Sequence, residues 1–148
     1  TQHKAFVADY PTDRRSMYLM QQRIRKQPYL AVFDGADTND TSPDRPLSTT
    51  SIQALFMLND SFMHDQADKL GVRVGLALPD EAKRVDYAYR LLFARPPTDE
   101  EIRVGQQYLR GVELKLKQAN VPWDRQYRDA LASYLRVLLS SNEFIWLD

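Results

Sequence analysis

The sequence contains no cysteine, and this absence removes several kinds of chemistry. Without thiols there is no disulfide framework, no thiolate nucleophile, no covalent haem attachment and no cysteine-based zinc site. The chain also has only two histidines, His3 and His64, which stand far apart in the sequence. We therefore expect no resident cofactor in this chain, apart from the calcium ion considered below.

A surplus of one charge sign is also missing, because 20 Lys and Arg balance 20 Asp and Glu. A net charge of zero argues against binding of nucleic acid or of anionic lipid, since such surfaces carry a basic excess. The balance hides an asymmetry, because residues 1–33 carry a net charge of +4 and residues 34–68 a net charge of −6. A basic segment is therefore followed by an acidic one.

Long apolar runs are absent as well. No stretch approaches the roughly 20 apolar residues that a membrane-spanning helix needs, so we expect no membrane span. Residues 1–13 lack the apolar segment of a signal peptide, and the chain does not begin with methionine. The last five positions carry four large apolar side chains. We expect the chain to be the C-terminal part of a larger protein.

The apolar pattern predicts an all-α fold. Five glycines in 148 residues and the lack of alternating β-branched runs disfavour strands. Apolar residues recur instead at intervals of three and four, which is helical spacing. We predict a single compact domain over residues 1–148 with about six helices, a lead-in over residues 1–12 and one long, irregular acidic loop over residues 34–47. The predicted helices span residues 13–27, a short segment from Thr50, residues 61–74, a segment from Asp80 to Arg95, residues 98–118 and a segment after Pro122.

Two pairs of residues match the capping box that opens helices. Thr98 and Glu101 form one pair, and Thr50 and Gln53 form the other. The short helix that Thr50 opens has three apolar residues on one face, namely Ile52, Leu55 and Phe56.

The two longest helices are predicted to face the core along apolar stripes. The stripe of the last long helix consists of Tyr127, Leu131, Tyr134, Leu135 and Leu138. The preceding helix contains Gly111, although glycine inside a helix costs up to ~1 kcal/mol relative to alanine. We predict that Gly111 marks a close approach of two helices.

The acidic loop is the first candidate site. Asp34, Asp37, Asn39 and Asp40 supply oxygen ligands of the kind that Ca²⁺ prefers. The spacing resembles the start of an EF-hand loop, but the glycine at position six and the glutamate at position twelve of that motif are missing. Two interpretations stay open at this point, a calcium site and a solvated loop rich in turns.

Two other groups of residues are candidates for contact with a partner. Arg14 and Arg15 begin a basic cluster, which either binds an anionic partner, or is solvated, or pairs with the acidic loop. Phe144, Ile145 and Trp146 form an apolar end that needs a covering surface. We predict that these five residues contact neighbouring domains of the same polypeptide.

His64 has neighbours that suggest a catalytic triad. Ser61 precedes it by three positions and Asp65 follows it directly. However, consecutive side chains on a helix point about 100° apart and do not face each other. We therefore predict a surface or half-buried histidine without a catalytic role.

Five ordered motifs resemble one known family, the planctomycete C-terminal domain catalogued as domain of unknown function 1553. The motifs are Asp13–Tyr18, Phe33–Asn39, Thr49–Asp60, Tyr89–Thr98 and Leu139–Asp148. Members of that family are usually the last part of large exported proteins that carry a cytochrome c-like segment upstream. The resemblance thus implies export, haem held outside this chain, and upstream domains of the same polypeptide as partners, in some cases with a carbohydrate-binding insert.

Two functions follow as expectations from the residues and from the resemblance. The first is a non-catalytic helical module that packs against a companion domain in an exported, haem-associated multidomain protein. The second is part of a polysaccharide-acting enzyme whose acidic loop supplies carboxylates or a calcium site. Glycosidic chemistry needs two carboxylates roughly 5–9.5 Å apart, which is a distance that only a structure can supply.

Overall fold

The structure is a computed structural model, and it describes residues 15–18, 28–35 and 51–145. These residues form helices and no strand, which confirms the predicted all-α fold. Ser16–Tyr18 form one 3-10 turn. The α-helices are α1 (Pro28–Val32), α2 (Ser51–Asn59), α3 (Ser61–Ala77), α4 (Glu81–Phe93), α5 (Asp99–Gln118), α6 (Trp123–Leu139) and α7 (Asn142–Ile145).

The chain divides into two compact units, residues 1–54 and residues 55–148, and the boundary falls inside α2. Most of the helix predicted over residues 13–27 lies outside the described residues, and so does the acidic loop from residue 36 onward. None of the helices in the described ranges is long and apolar enough to cross a membrane.

In the first unit, α1 begins at Pro28, where the fixed φ of proline suits the first turn of a helix. Asp34 ends α1 in the left-handed region with φ 52°. The Gly35 N–H then donates to the Leu30 carbonyl at 2.6 Å, as in a Schellman motif. A Cβ on Gly35 would lie 2.7 Å from that carbonyl oxygen, so the motif requires glycine here.

Gln53 connects the start of α2 to the end of α1. Its side chain is almost fully buried, with 5% exposed. The amide nitrogen donates to the Val32 carbonyl at 2.9 Å and to the Asp34 carboxylate at 3.2 Å. A buried amide without such partners would be destabilising, so these hydrogen bonds explain why a polar residue is buried in a helix of apolar neighbours.

The apolar face predicted for α2 is not its buried face. Ile52 and Leu55 are 66% and 60% exposed, and Phe56 is only partly buried. The buried residues of α2 are Gln53 and Met57, which lie one turn apart. Apolar residues occur around the whole circumference of this helix, so its sequence did not specify which side packs.

The second unit is built around α6, which packs against α3 and α5, while α4 packs against α3 and α5. The predicted stripe of α6 is confirmed: Leu131, Tyr134, Leu135 and Leu138 are buried, and Tyr127 packs against the core from its edge. Burial of a leucine of this kind contributes about 1.5–3 kcal/mol. The short α7 packs against α4 and α6.

Three of the predicted helix starts are confirmed by their hydrogen bonds, whereas Thr50, the residue predicted to open α2, lies outside the described residues. Asp80 accepts from the Ala82 N–H at 2.9 Å, and Asp60 caps α3 in the same way. Thr98 and Glu101 form a complete capping box at the start of α5. Each such cap stabilises its helix by about 1 kcal/mol.

The prediction for Gly111 is wrong. Among the described residues, a Cβ on Gly111 would meet no atom within 4 Å, so no described helix approaches this position. The close approaches occur at Gly71, where a Cβ would lie 3.5 Å from Ala132, and at Gly105, where it would lie 2.7 Å from the Tyr134 phenol oxygen. Gly71 therefore brings α3 close to α6, and Gly105 makes room for a core tyrosine.

Candidate functional site

Asp34 is the only member of the proposed calcium set that lies in a described range. Its carboxylate accepts the hydrogen bond from Gln53, and its backbone ends α1. Within the described ranges no group of three or more potential metal ligands occurs. Asp37, Asn39 and Asp40 lie outside those ranges, so calcium binding by the loop stays a prediction.

Three of the five residues predicted to contact a partner lie in the described ranges. Arg15 is exposed, Phe144 is 37% exposed, and Ile145 is partly buried in α7. Arg14 and Trp146 lie outside the described residues. Phe144 and Ile145 belong to α7, which packs against α4 and α6, and their role towards a partner stays a prediction.

His64 is partly buried. Its Nδ1 accepts a hydrogen bond from Arg136 at 2.7 Å, and its Nε2 lies 3.2 Å from the Leu58 carbonyl oxygen. Within the described part of the chain, no hydrogen bond joins His64 to Ser61 or Asp65. The predicted surface or half-buried position of His64 is confirmed.

A cluster of charged side chains around Arg95 joins three helices. The guanidinium donates to both oxygens of Glu101, at 2.9 and 2.7 Å, and its Nη2 also donates to Glu143 at 2.8 Å. Glu101 in turn accepts from the Thr98 N–H at 2.7 Å as part of the capping box. We call Arg95, Glu101 and Glu143 the Arg95 cluster. It connects the end of α4, the start of α5 and the helix α7.

The electrostatics of the Arg95 cluster follow from these hydrogen bonds. Hydrogen bonding to Arg95, together with the bonds from Thr98, lowers the pKa of Glu101 to about 2. The same arginine lowers the pKa of Glu143, and both carboxylates raise the pKa of Arg95. All three side chains stay charged at neutral pH, so the cluster is suited to holding helices together and not to proton transfer.

A second pair of carboxylates lies between α4 and α5. One oxygen of Glu81 is buried without a hydrogen bond and lies 3.7 Å from the Arg110 guanidinium. Burial and repulsion from Glu81 raise the pKa of Glu113. No sequence pattern predicts this pair, because the two residues are far apart in the chain and belong to no recognised motif.

An exposed apolar surface lies where α2 meets α3. Leu55, Leu58 and Phe62 are 60%, 48% and 45% exposed. We call these three residues the docking face. The whole of α2 carries no charged side chain, although helices at a solvent boundary normally carry polar residues on their outer side.

Comparison with known families adds one match. The model of the family PSD1, described as a protein of unknown function (DUF1553), matches residues 2–109 and therefore well over half of the chain. The chain belongs to the DUF1553 family. The match to DUF1553 includes four of the five motifs that suggested the resemblance, and only Leu139–Asp148 lies beyond it. No curated protein and no solved structure matches the chain.

Membership of DUF1553 brings no activity with it, since the family is described as one of unknown function. Planctomycete origin, export and a neighbouring cytochrome c-like segment stay predictions from the resemblance. The fold alone does not imply a function either.

Proposed function

We propose that this DUF1553 domain is a non-catalytic helical module that packs against another domain of the same polypeptide. The observation that carries the proposal is the docking face. It belongs to a helix without a charged residue, and its leucines are about half exposed or more. A helix that is apolar all round is normally buried, so a covering surface would complete the packing of α2.

The occupant that we propose is an apolar surface of an upstream domain. Asp60 is the only charged residue between Ser51 and His64, and its carboxylate caps α3. A partner that covers the docking face would therefore bury apolar area without removing an unpaired charge from water, which favours stable association. Arg14, Arg15, Phe144, Ile145 and Trp146 would lie at other contacts with the same polypeptide.

The test is a calorimetric titration of the chain with the upstream part of its own polypeptide. The double variant Leu55→Ser with Leu58→Ser should weaken binding at least about tenfold, since each buried leucine contributes well over 1 kcal/mol. Leu76→Ser is the matched control, because Leu76 is 84% exposed and lies outside the docking face. The proposal fails if two folded pieces do not bind, or if Leu76→Ser weakens binding equally.

We further propose that the polypeptide is exported and that its haem is held by another segment. The support is the resemblance to DUF1553 together with the absence of cysteine in this chain. Fractionation of the native cells tests export, and an absorption spectrum of the full-length protein and of this chain tests where the haem lies. Retention of the full-length protein in the cytoplasm would contradict the proposal.

A further inference from the structure

A polar cavity of about 300 Å³ lies between α3 and α6, in the second unit. Its polar lining combines cationic, anionic and hydroxyl groups in a small volume. The polar residues that line it are His64, Asp68, Asp129, Ser133 and Arg136. We call this cavity the α3–α6 groove. Its volume is at the lower end of the range for small-molecule sites.

The groove exists because the residues at its base are small. Ala67 and Ala132 line it and are buried, with 2% and 6% exposed. One turn further along α3, a Cβ on Gly71 would lie 3.5 Å from Ala132. The helices therefore approach closely at Gly71, and the alanines leave a space between the longer polar side chains.

The charges in the α3–α6 groove are separated along the helix axes. His64 contacts Arg136, whereas Gly71 contacts Ala132, so α3 and α6 run antiparallel. Asp68 follows His64 by four residues, and Asp129 precedes Arg136 by seven. With a rise of 1.5 Å per residue, the backbone of Asp68 lies about 6 Å from that of His64 along α3, and the backbone of Asp129 lies about 10.5 Å from that of Arg136 along α6, in the same direction. The groove thus has a positive end and a negative end.

Arg136 supplies the positive end with one side of its guanidinium unused. Nη1 lies 2.7 Å from Nδ1 and 3.2 Å from Nε2 of His64, and Nε2 lies 3.2 Å from the Leu58 carbonyl oxygen. These contacts hold the guanidinium beside the imidazole. Among the described residues no carboxylate lies within 4.0 Å of Arg136, and Nε and Nη2 make no hydrogen bond. That edge matches the two oxygens of a carboxylate.

The negative end is also weakly paired. Asp129 has one cation nearby, the exposed Arg128 at 3.4 Å, and within the described ranges Asp68 has no ion pair. Between the two ends, the Ser133 hydroxyl is held by the Tyr108 hydroxyl at 2.9 Å. An ammonium group would find two carboxylates at this end of the groove.

We propose that the α3–α6 groove binds a small zwitterion, with a carboxylate on Arg136 and an ammonium group between Asp68 and Asp129. The two charges of the ligand would be several bonds apart, because the two ends of the groove are separated by more than one helical turn. Simple anions and simple amines would each use only half of the site. This proposal does not depend on the docking face.

The test is a titration of the full chain followed by ¹⁵N NMR, with γ-aminobutyrate as the probe. Butyrate and butylamine are matched controls, since each keeps the carbon chain and one of the two charges. We expect γ-aminobutyrate to shift the amide signals of groove residues and to bind at least about tenfold more tightly than either control, because each lacks one charge-assisted contact. No shifts up to ~10 mM, or equal binding of butyrate, would overturn the proposal.

Substitutions in the α3–α6 groove test whether γ-aminobutyrate binds there. Arg136→Gln and Asp129→Asn should each weaken γ-aminobutyrate binding about tenfold, whereas Arg125→Gln, an exposed change on the same helix, should not. If Arg136→Gln fails to fold, Asp129→Asn and the comparison of probes on the unaltered chain still decide. Unchanged binding in a folded Asp129→Asn variant would overturn the assignment of the ammonium site.

Discussion

The phenol oxygen of Tyr134 lies 2.7 Å from the position that a Cβ would occupy on Gly105. Tyr134 is buried and packs beside Tyr108 with ring centroids 5.7 Å apart, so the ring has little room to move. We expect Gly105→Ala to destabilise the fold by about 1–3 kcal/mol, which is typical of overpacking in a core. Thermal and urea unfolding measure the effect.

Gly111→Ala is the matched comparison on the same helix. A Cβ at Gly111 would meet nothing within 4 Å, so alanine should stabilise the protein by about 0.5–1 kcal/mol through helix propensity. Opposite signs for the two glycine substitutions are the expected outcome. A stabilising Gly105→Ala would contradict the close packing against Tyr134.

Because Arg95 bonds to two carboxylates, we expect that lysine at this position does not preserve the stability of the fold. Lysine presents one charged group and cannot form paired hydrogen bonds to Glu101 and Glu143 together. We expect Arg95→Lys to lower Tm by several degrees. Arg90→Lys, which alters an exposed pair with Asp86 at 2.8 Å, should change Tm by no more than about one degree. Equal effects of the two substitutions would show that the cluster stabilises no more than an ordinary surface pair.

The pKa of Glu101 predicts sensitivity to acid. Its pKa falls from an ordinary 4.5 to about 2 in the folded chain. The folded state therefore gains stability from the ionised carboxylate above pH 4.5, and this gain is lost as the pH falls towards 2. Urea unfolding across that range should show a shallower loss of stability for Glu101→Gln than for the unaltered chain. The same acid slope in both proteins would contradict the prediction.

For Glu113 we expect the opposite pH dependence of stability. Burial, and then repulsion from Glu81, raise its pKa, so its ionised form disfavours the folded state at neutral pH. Glu113→Gln should therefore raise Tm at pH 7, and the difference should shrink in acid, where the carboxyl group is protonated. Glu100→Gln is the control: Arg103 lowers the pKa of Glu100, and this substitution should not stabilise the protein.

Substitutions of Asp34 test the calcium hypothesis. Asparagine tolerates the left-handed backbone at φ 52° and keeps an oxygen that can accept from Gln53. We expect Asp34→Asn to leave Tm nearly unchanged, whereas Asp34→Val should lower it. If calcium raises Tm of the unaltered chain but not of Asp34→Asn, then Asp34 is a calcium ligand and its role is not limited to ending α1.

The sequence was sufficient to predict features that depend on local spacing. The stripe of α6 and the capping box of Thr98 follow from neighbours three or four positions apart, and both are confirmed. The pairing of Arg95 with Glu143 spans 48 residues, and no local pattern specifies which helices meet. The acidic loop and the ends of the chain lie outside the described residues, so their predictions stay open.

The sequence does contain a signal that distinguishes Gly105 from Gly111. Gly105 follows Ile102 by three positions and precedes Leu109 by four, so it lies on the predicted inward face of α5. Gly111 does not share that face. A glycine on the apolar stripe indicates close packing, whereas a glycine elsewhere on the helix does not. No comparable signal identifies the buried face of α2, because apolar residues occur on every side of that helix.

The Arg95 cluster also determines how α7, the last described helix, unfolds locally. A helix of four residues such as α7 has almost no stability by itself, because helix nucleation is unfavourable. Its persistence then depends on contacts with the α4–α5 hairpin, among which the Glu143 bonds are the charged ones. The Phe144 and Ile145 amides, which donate to the Ser141 carbonyl, should therefore exchange with solvent in one cooperative step with release of Arg95, and not by gradual fraying of α7.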